Sequence, residues 1–214
     1  MSYLEVINLS KIIKGQEVLH NVNLYLEKGN ISGFFGRNAS GKTMLFRAIC
    51  GLIRPTEGYV KINHKVLHKD ISFPDSVGII IENPGFWDYY TGFQNLKILA
   101  SIKKVISDND IKVAINRVGL DPEDKRIFKK YSLGMKQRLG IAQAIMEKPE
   151  LIILDEPTNA LDEQGINLVR TILLEEKQKG ALILISSHNK EDIQLLSDVK
   201  YKMEFGNLSL FQEP

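Results

Sequence analysis

The sequence predicts an α/β fold built on a mainly parallel sheet, and three observations carry that prediction. Apolar runs of strand length recur along the chain: "ISGFFG" at 31–36, "VGIII" at 77–81, "LIIL" at 151–154 and "ALILISS" at 181–187. Runs without polar interruption are what strands covered on both faces require. Segments of helical period separate them, as in "NLVRTILLEEKQKG", where Val169, Ile172 and Leu173 fall at i, i+3 and i+4. Strands alternating with helices imply a parallel sheet.

In chain order, residues 1–30 alternate apolar and polar ("LEVINLS", "VNLYL") and read as strands with turns at Gly15 and Gly29. The 31–36 strand runs into a glycine, and "KTMLFRAICGL" reads as a helix with Gly51 near its end. "GYVKINHKVL" returns to strand alternation before the 77–81 strand. From about 95 to 147 the pattern is helical, with a capping box at Ser107–Asp110 opening a helix that stops at Gly119. After the two later strands, "MEFGNLSLF" reads as a hairpin around Gly206–Asn207. One domain of 1–214 is expected: a core of 1–82 and 149–214 carrying an antiparallel β region, with a helical subdomain at 83–148 inserted between two strands.

The chain has 214 residues, 43% hydrophobic and 25% charged, ordinary for a globular protein with a substantial core. A net charge of +2 speaks against a dedicated nucleic-acid binder. Its one cysteine, Cys50, excludes an internal disulfide and reads as core filler in a reducing compartment. No apolar run reaches the roughly 18–20 residues of a membrane-spanning helix, and "MSYLEVINLSK" lacks a signal-peptide core. The cytoplasm is therefore expected, with any membrane attachment made through a partner. Residues 83–148 hold 12 Lys/Arg against 7 Asp/Glu, while the rest holds 16 against 19. A solvated helix face explains this surplus; nearness to anionic lipid or to a membrane protein is the second reading.

"GRNASGKT" matches G-x-x-x-x-G-K-[ST] through Gly36, Arg37, Asn38, Ala39, Ser40, Gly41, Lys42 and Thr43. Glycines let successive N–H groups turn inward onto phosphate oxygens, and a following helix adds the positive end of its dipole. Lys42 supplies a cation to the β- and γ-phosphates, and Thr43 a hydroxyl to Mg²⁺. The apolar strand before the motif and the helix after it are the context it needs. "LIILDEP" then has a purpose for two adjacent charges at the end of a buried strand. Asp155 is placed to hold Mg²⁺, and Glu156 to orient and polarise the water that attacks the γ-phosphorus.

With these motifs in order, the chain resembles the nucleotide-binding subunit of an ABC transporter, a P-loop NTPase, over nearly its whole length. "YSLGMKQRLGIAQAI" at 131–145 resembles the family signature, "NALD" at 159–162 the D-loop, and "SSH" the switch histidine, His188. "SLGM" and "IENPGFWDYYTG" look most like ATPases of bacterial peptide-antibiotic exporters and immunity transporters. The resemblance implies ATP and Mg²⁺ as cofactors, a transmembrane permease as partner, and a location on the cytoplasmic face of the membrane. It implies a second ATPase subunit, identical or not, packed head to tail. Ser132 and the Gly134 N–H would then meet the γ-phosphate held by the opposite subunit, and His188 would position the attacking water. Glu82 aligns with the glutamine that usually follows the strand before the helical block, and could bind Mg²⁺ or its water. Leu133 replaces the first signature glycine, and Ile13 the aromatic residue that usually stacks on adenine.

The aromatic cluster Phe86, Trp87, Tyr89 and Tyr90 reads equally as core or, since the resemblance implies that this segment lines a groove gripping a cytoplasmic helix of the membrane partner, as interface anchors with at least two exposed. His20, His64 and His68 read as plain polar positions. The chain ends just after the closing hairpin, so no added dimerisation or regulatory domain is expected. A soluble ABC ATPase acting on DNA or ribosomes, and a regulatory module with a dead site, are the rival readings.

Overall fold

The computed structural model describes residues 2–82 and 85–211. β1 (Leu4–Ile13) and β2 (Gln16–Leu26) form the expected antiparallel hairpin. Lys14 and Gly15, both at positive φ, turn it with the twist a two-residue hairpin loop needs. After β3 (Ile31–Phe35) and α1 (Lys42–Ile49), β4 (Glu57–Ile62) pairs with β1, and β5 (Lys65–Val66) with β4, giving the order β2-β1-β4-β5. "GYVKINHKVL" is thus two strands rather than one. Asn63 and His64, at φ 46° and 67°, form its turn, and asparagine tolerates the left-handed region better than most residues.

The second sheet also contains β6 (Val77–Ile80), β7 (Leu151–Asp155), β8 (Leu182–Ser187), β9 (Val199–Glu204) and β10 (Asn207–Leu210), in the order β10-β9-β3-β8-β7-β6. Every pairing from β9 to β6 is parallel, and β10 is antiparallel to β9. The closing hairpin turns at Phe205–Gly206, one residue earlier than expected, because Asn207 already pairs with Glu204.

The strands are apolar throughout because both faces are covered. Leu151, Ile153, Leu182 and Leu184 point into a core shared with α1 and the antiparallel sheet, where Phe34 meets Phe46 edge-on at 5.3 Å. Ile152, Leu154, Ile183 and Ile185 point into the opposite core. Each such side chain removed from water contributes about 1.5–3 kcal/mol. Cys50 lies in the first core, and burial pushes its thiol up to about 12, as core filler requires.

Between β6 and β7 the chain forms α2 (Gly92–Lys103), α3 (Asp108–Arg117) and α4 (Leu133–Ile145). Capping boxes at Thr91/Gln94 and Ser107/Asp110 open the first two, and Gly119 at φ 71° follows α3. The expected start of this insertion, Asn83–Pro84, lies outside the described residues, as do 212–214 of the expected core. α5 (Glu163–Gln178) buries Val169, Ile172 and Leu173 as their spacing predicted. α6 (Lys190–Leu196), capped by Asn189, was not expected.

α4 lies against β6 at a point where only glycine fits: a Cβ on Gly78 would stand 1.7 Å from the Ala144 carbonyl oxygen. That obstacle is backbone, so it cannot swing away. Gly78→Ala is expected to destabilise the protein by about 2–3 kcal/mol, read as a lower denaturant midpoint with an unchanged slope.

Candidate functional site

The loop from β3 into α1 carries the phosphate-binding pattern. Ala39 at φ 63° and Gly41 at φ 113° give it the reversal of hand that turns its backbone around Lys42. Lys42 is 6% exposed, and its Nζ donates to the carbonyls of Gly36 (2.7 Å) and Arg37 (3.2 Å). Burial lowers its pKa from the usual lysine value, while Glu156 and Asp155 act in the opposite direction. The cation therefore sits inside the loop with two carboxylates nearby.

Those carboxylates arrive on the end of β7. Asp155, buried, accepts from the Thr43 hydroxyl at 2.7 Å and from the Ser186 hydroxyl. Glu156 has φ 54°, in the left-handed region that a glutamate rarely adopts. Its N–H donates to the Ser186 hydroxyl at 3.1 Å and lies 3.2 Å from the Ser186 carbonyl. Gln137 Nε2 donates to the Glu156 (3.3 Å) and Pro157 (3.2 Å) carbonyls. Held this way, Glu156 places Oε2 2.8 Å from Nδ1 of His188, which follows β8. Ser186 and Gln137 were not singled out from the sequence. Serine ending a strand and glutamine inside a helix carry no signal until the sheet order is known.

One cleft of about 650 Å³ joins Asn38–Met44, Asp155, Glu156 and Glu82 with Gln16, Glu17, Val18 and His20 of β2 and with the Phe205–Gly206 turn. This volume suits a small-molecule ligand. His188 and Arg37 border a shallower cleft beside it with Asn38. Glu82 reaches the first cleft, but its Oε1 lies 2.8 Å from Arg47 Nη2. The expected base-stacking position, Ile13, is 36% exposed and the β2 residues wall the cleft in its place. His20, read as a plain polar position, belongs to that wall, with Nδ1 3.1 Å from Glu17.

The donor set fits the groups the motifs imply. Thr43 and Asp155 already meet through oxygen, the ligand type Mg²⁺ takes. Among the described residues no group of three or more His, Cys, Asp or Glu is placed to hold a metal ion by itself.

Ser132 and Gly134 are not brought to Lys42. They line a separate cleft with Leu133, Arg138, Leu161 and Asp162. Ser132 caps α4 by accepting from the Met135 N–H at 3.2 Å, and Leu133 is 73% exposed. Of the aromatic cluster, Phe86 packs edge-on against Phe128 while Trp87, Tyr89 and Tyr90 are exposed. Buried Asn95 pins their backbone, accepting from the Trp87 N–H (2.8 Å) and donating to the Trp87 and Thr91 carbonyls. Among the described residues no helix is long and apolar enough to cross a membrane.

Residues 19–159 match the family model described as ABC transporter. The chain is 57% identical over 205 residues to the uncharacterized ABC transporter ATP-binding protein YybJ of Bacillus subtilis, covering 96% of this chain and 94% of that one. It is 42% identical to the bacitracin transport ATP-binding protein BcrA of Enterococcus faecalis, over 96% of this chain and 67% of that one. With the lantibiotic transport ATP-binding protein SrtF of Streptococcus pyogenes it shares 37%, over 91% and 84%. A solved ATP-binding subunit of an ABC transporter superposes with a TM-score of 0.87 at 27% identity, over 98% of this chain and 90% of that one. A buried lysine inside the 36–43 loop, near two carboxylates at the end of another parallel strand of the same sheet, accords with these matches, and the chain belongs to the ABC transporter family as an ATP-binding, ATP-hydrolysing subunit.

Proposed function

We propose that this subunit hydrolyses ATP from the cytoplasmic face of a membrane to drive a separate transmembrane permease, and that the cargo is a peptide antibiotic. The relatives named for bacitracin and lantibiotic transport support the cargo class. The Lys42, Asp155, Glu156 and His188 constellation in and beside one cleft carries the catalytic reading.

In this reading the 36–43 loop and Lys42 bind the phosphate chain. Thr43 and Asp155 would hold Mg²⁺, which when bound neutralises phosphate charge; Glu82 is the further carboxylate placed toward it, once free of Arg47. Glu156 accepts a proton from the attacking water, and His188 fixes that carboxylate's direction through the 2.8 Å contact. Trp87, Tyr89 and Tyr90, exposed on a pinned segment, dock the permease. The block from 83 to 148 carries that docking surface as a helical subdomain of the 1–214 domain.

The separation of the Ser132–Gly134 cleft from the Lys42 cleft supports a second copy as the source of the signature contact, with the N-terminus of α4 as its anion-binding end. Lys42→Ala and Ser132→Arg each remove one half of the composite site. Each variant alone is expected to be inactive in phosphate release, and their mixture to regain activity, since a mixed pair retains one intact site. A mixture as silent as its components counts against sharing between copies.

A further inference from the structure

Phe205 stands where no requirement of folding puts it. It is 86% exposed and adopts φ 46°, a backbone conformation that a bulky side chain occupies at a cost and that Gly or Asn would take readily. An aromatic ring left in water gains nothing from burial. Yet the residue lines the cleft that holds Lys42, as do Val18 and His20.

Its position is fixed by its neighbour. The Gly206 N–H donates to the Ser40 carbonyl of the phosphate loop at 2.9 Å, and the Gly206 carbonyl accepts from the His20 N–H of β2 at 2.9 Å. Gly206 sits at φ 79°, and a Cβ there would meet His20 Cδ2 at 2.3 Å and the Val18 carbonyl oxygen at 2.9 Å. The turn is thus stapled between β2 and the 36–43 loop, on the same cleft.

Resting on the nucleotide reading of this cleft, we propose that Phe205 is the surface on which the nucleobase stacks, a role the family resemblance would have given to position 13. Stacking on an aromatic ring tolerates every base, because each has a π-face. Phe205 therefore strengthens ATP and GTP binding alike, and selection between them falls to polar groups at the rim.

The test compares wild type, Phe205→Asn, Phe205→Tyr and Lys42→Ala by calorimetric titration with Mg-ATP and Mg-GTP, with tripolyphosphate as a competitor that has no base. Phe205→Asn is expected to weaken ATP and GTP about tenfold and leave the tripolyphosphate inhibition constant unchanged. Its melting temperature is expected to hold or rise, since asparagine suits the turn. Phe205→Tyr keeps wild-type affinity. Unchanged ATP affinity in Phe205→Asn overturns the proposal, and so does a loss that tripolyphosphate shares. Lys42→Ala judges the cradle separately: if it binds tripolyphosphate as wild type does, the phosphate assignment fails whatever Phe205 does.

Discussion

Glu156→Gln is expected to bind Mg-ATP with wild-type affinity, to persist as an ATP-bound dimer, and to lose hydrolysis by about 100- to 10,000-fold, the range for removing a general base. Glutamine has the same shape, and the bonds that orient this position are made by its backbone. The Ser186 hydroxyl and carbonyl hold its N–H, and Gln137 holds its carbonyl. The amide can still meet His188 Nδ1, so the geometry survives. What disappears is the ability to take a proton. Lys42 keeps Asp155 as an opposite charge nearby, so the phosphate loop has no reason to rearrange. Phosphate release measured beside ATP-dependent dimerisation by light scattering separates binding from chemistry. Turnover near wild type would assign water activation to another group.

The second large effect belongs to Lys42→Ala, which should lower Mg-ATP affinity by at least about 100-fold. Charge-assisted hydrogen bonds contribute about 1.5–3 kcal/mol each, and Lys42 has the reach to make two to phosphate oxygens. Truncation also removes one of the positive charges that offset Asp155 and Glu156 beside the triphosphate. The fold should tolerate the change, because the partners Lys42 leaves behind are backbone carbonyls of an otherwise intact loop. Thermal melting therefore distinguishes the outcomes. Wild type should be stabilised by millimolar Mg-ATP, and the variant should melt at its own temperature with or without nucleotide. Equal stabilisation of both proteins would remove Lys42 from the binding account.

Local geometry was legible in the sequence where it depends on spacing along one segment. The 36–43 loop, the carboxylate pair after "LIIL" and the Ser107 capping box each need only a few consecutive residues, and each formed as read. Helix α6 was missed because seven residues offer less than two turns of periodicity. The hairpin centre was displaced because Gly206–Asn207 looks like a turn, whereas phenylalanine at a left-handed position does not. Contacts between distant segments left no local trace: Arg47 with Glu82, Ser186 beneath Asp155, and the β2 wall that stands where Ile13 was expected. Sheet order decides all three, and sheet order is not written in any one stretch of chain.

Gly206 joins the last hairpin to Ser40 and His20 through peptide groups at both ends. A side-chain exchange at Ser40, or at His20 other than to proline, leaves both bonds of that tether in place, whereas a Cβ at Gly206 itself would meet His20 and the Val18 carbonyl. The tip it anchors is accordingly a mounting bracket of constant placement. What projects from residue 205 can be swapped without shifting the bracket, so the strength of nucleobase binding is free to drift here while the hydrolytic machinery stays as it is.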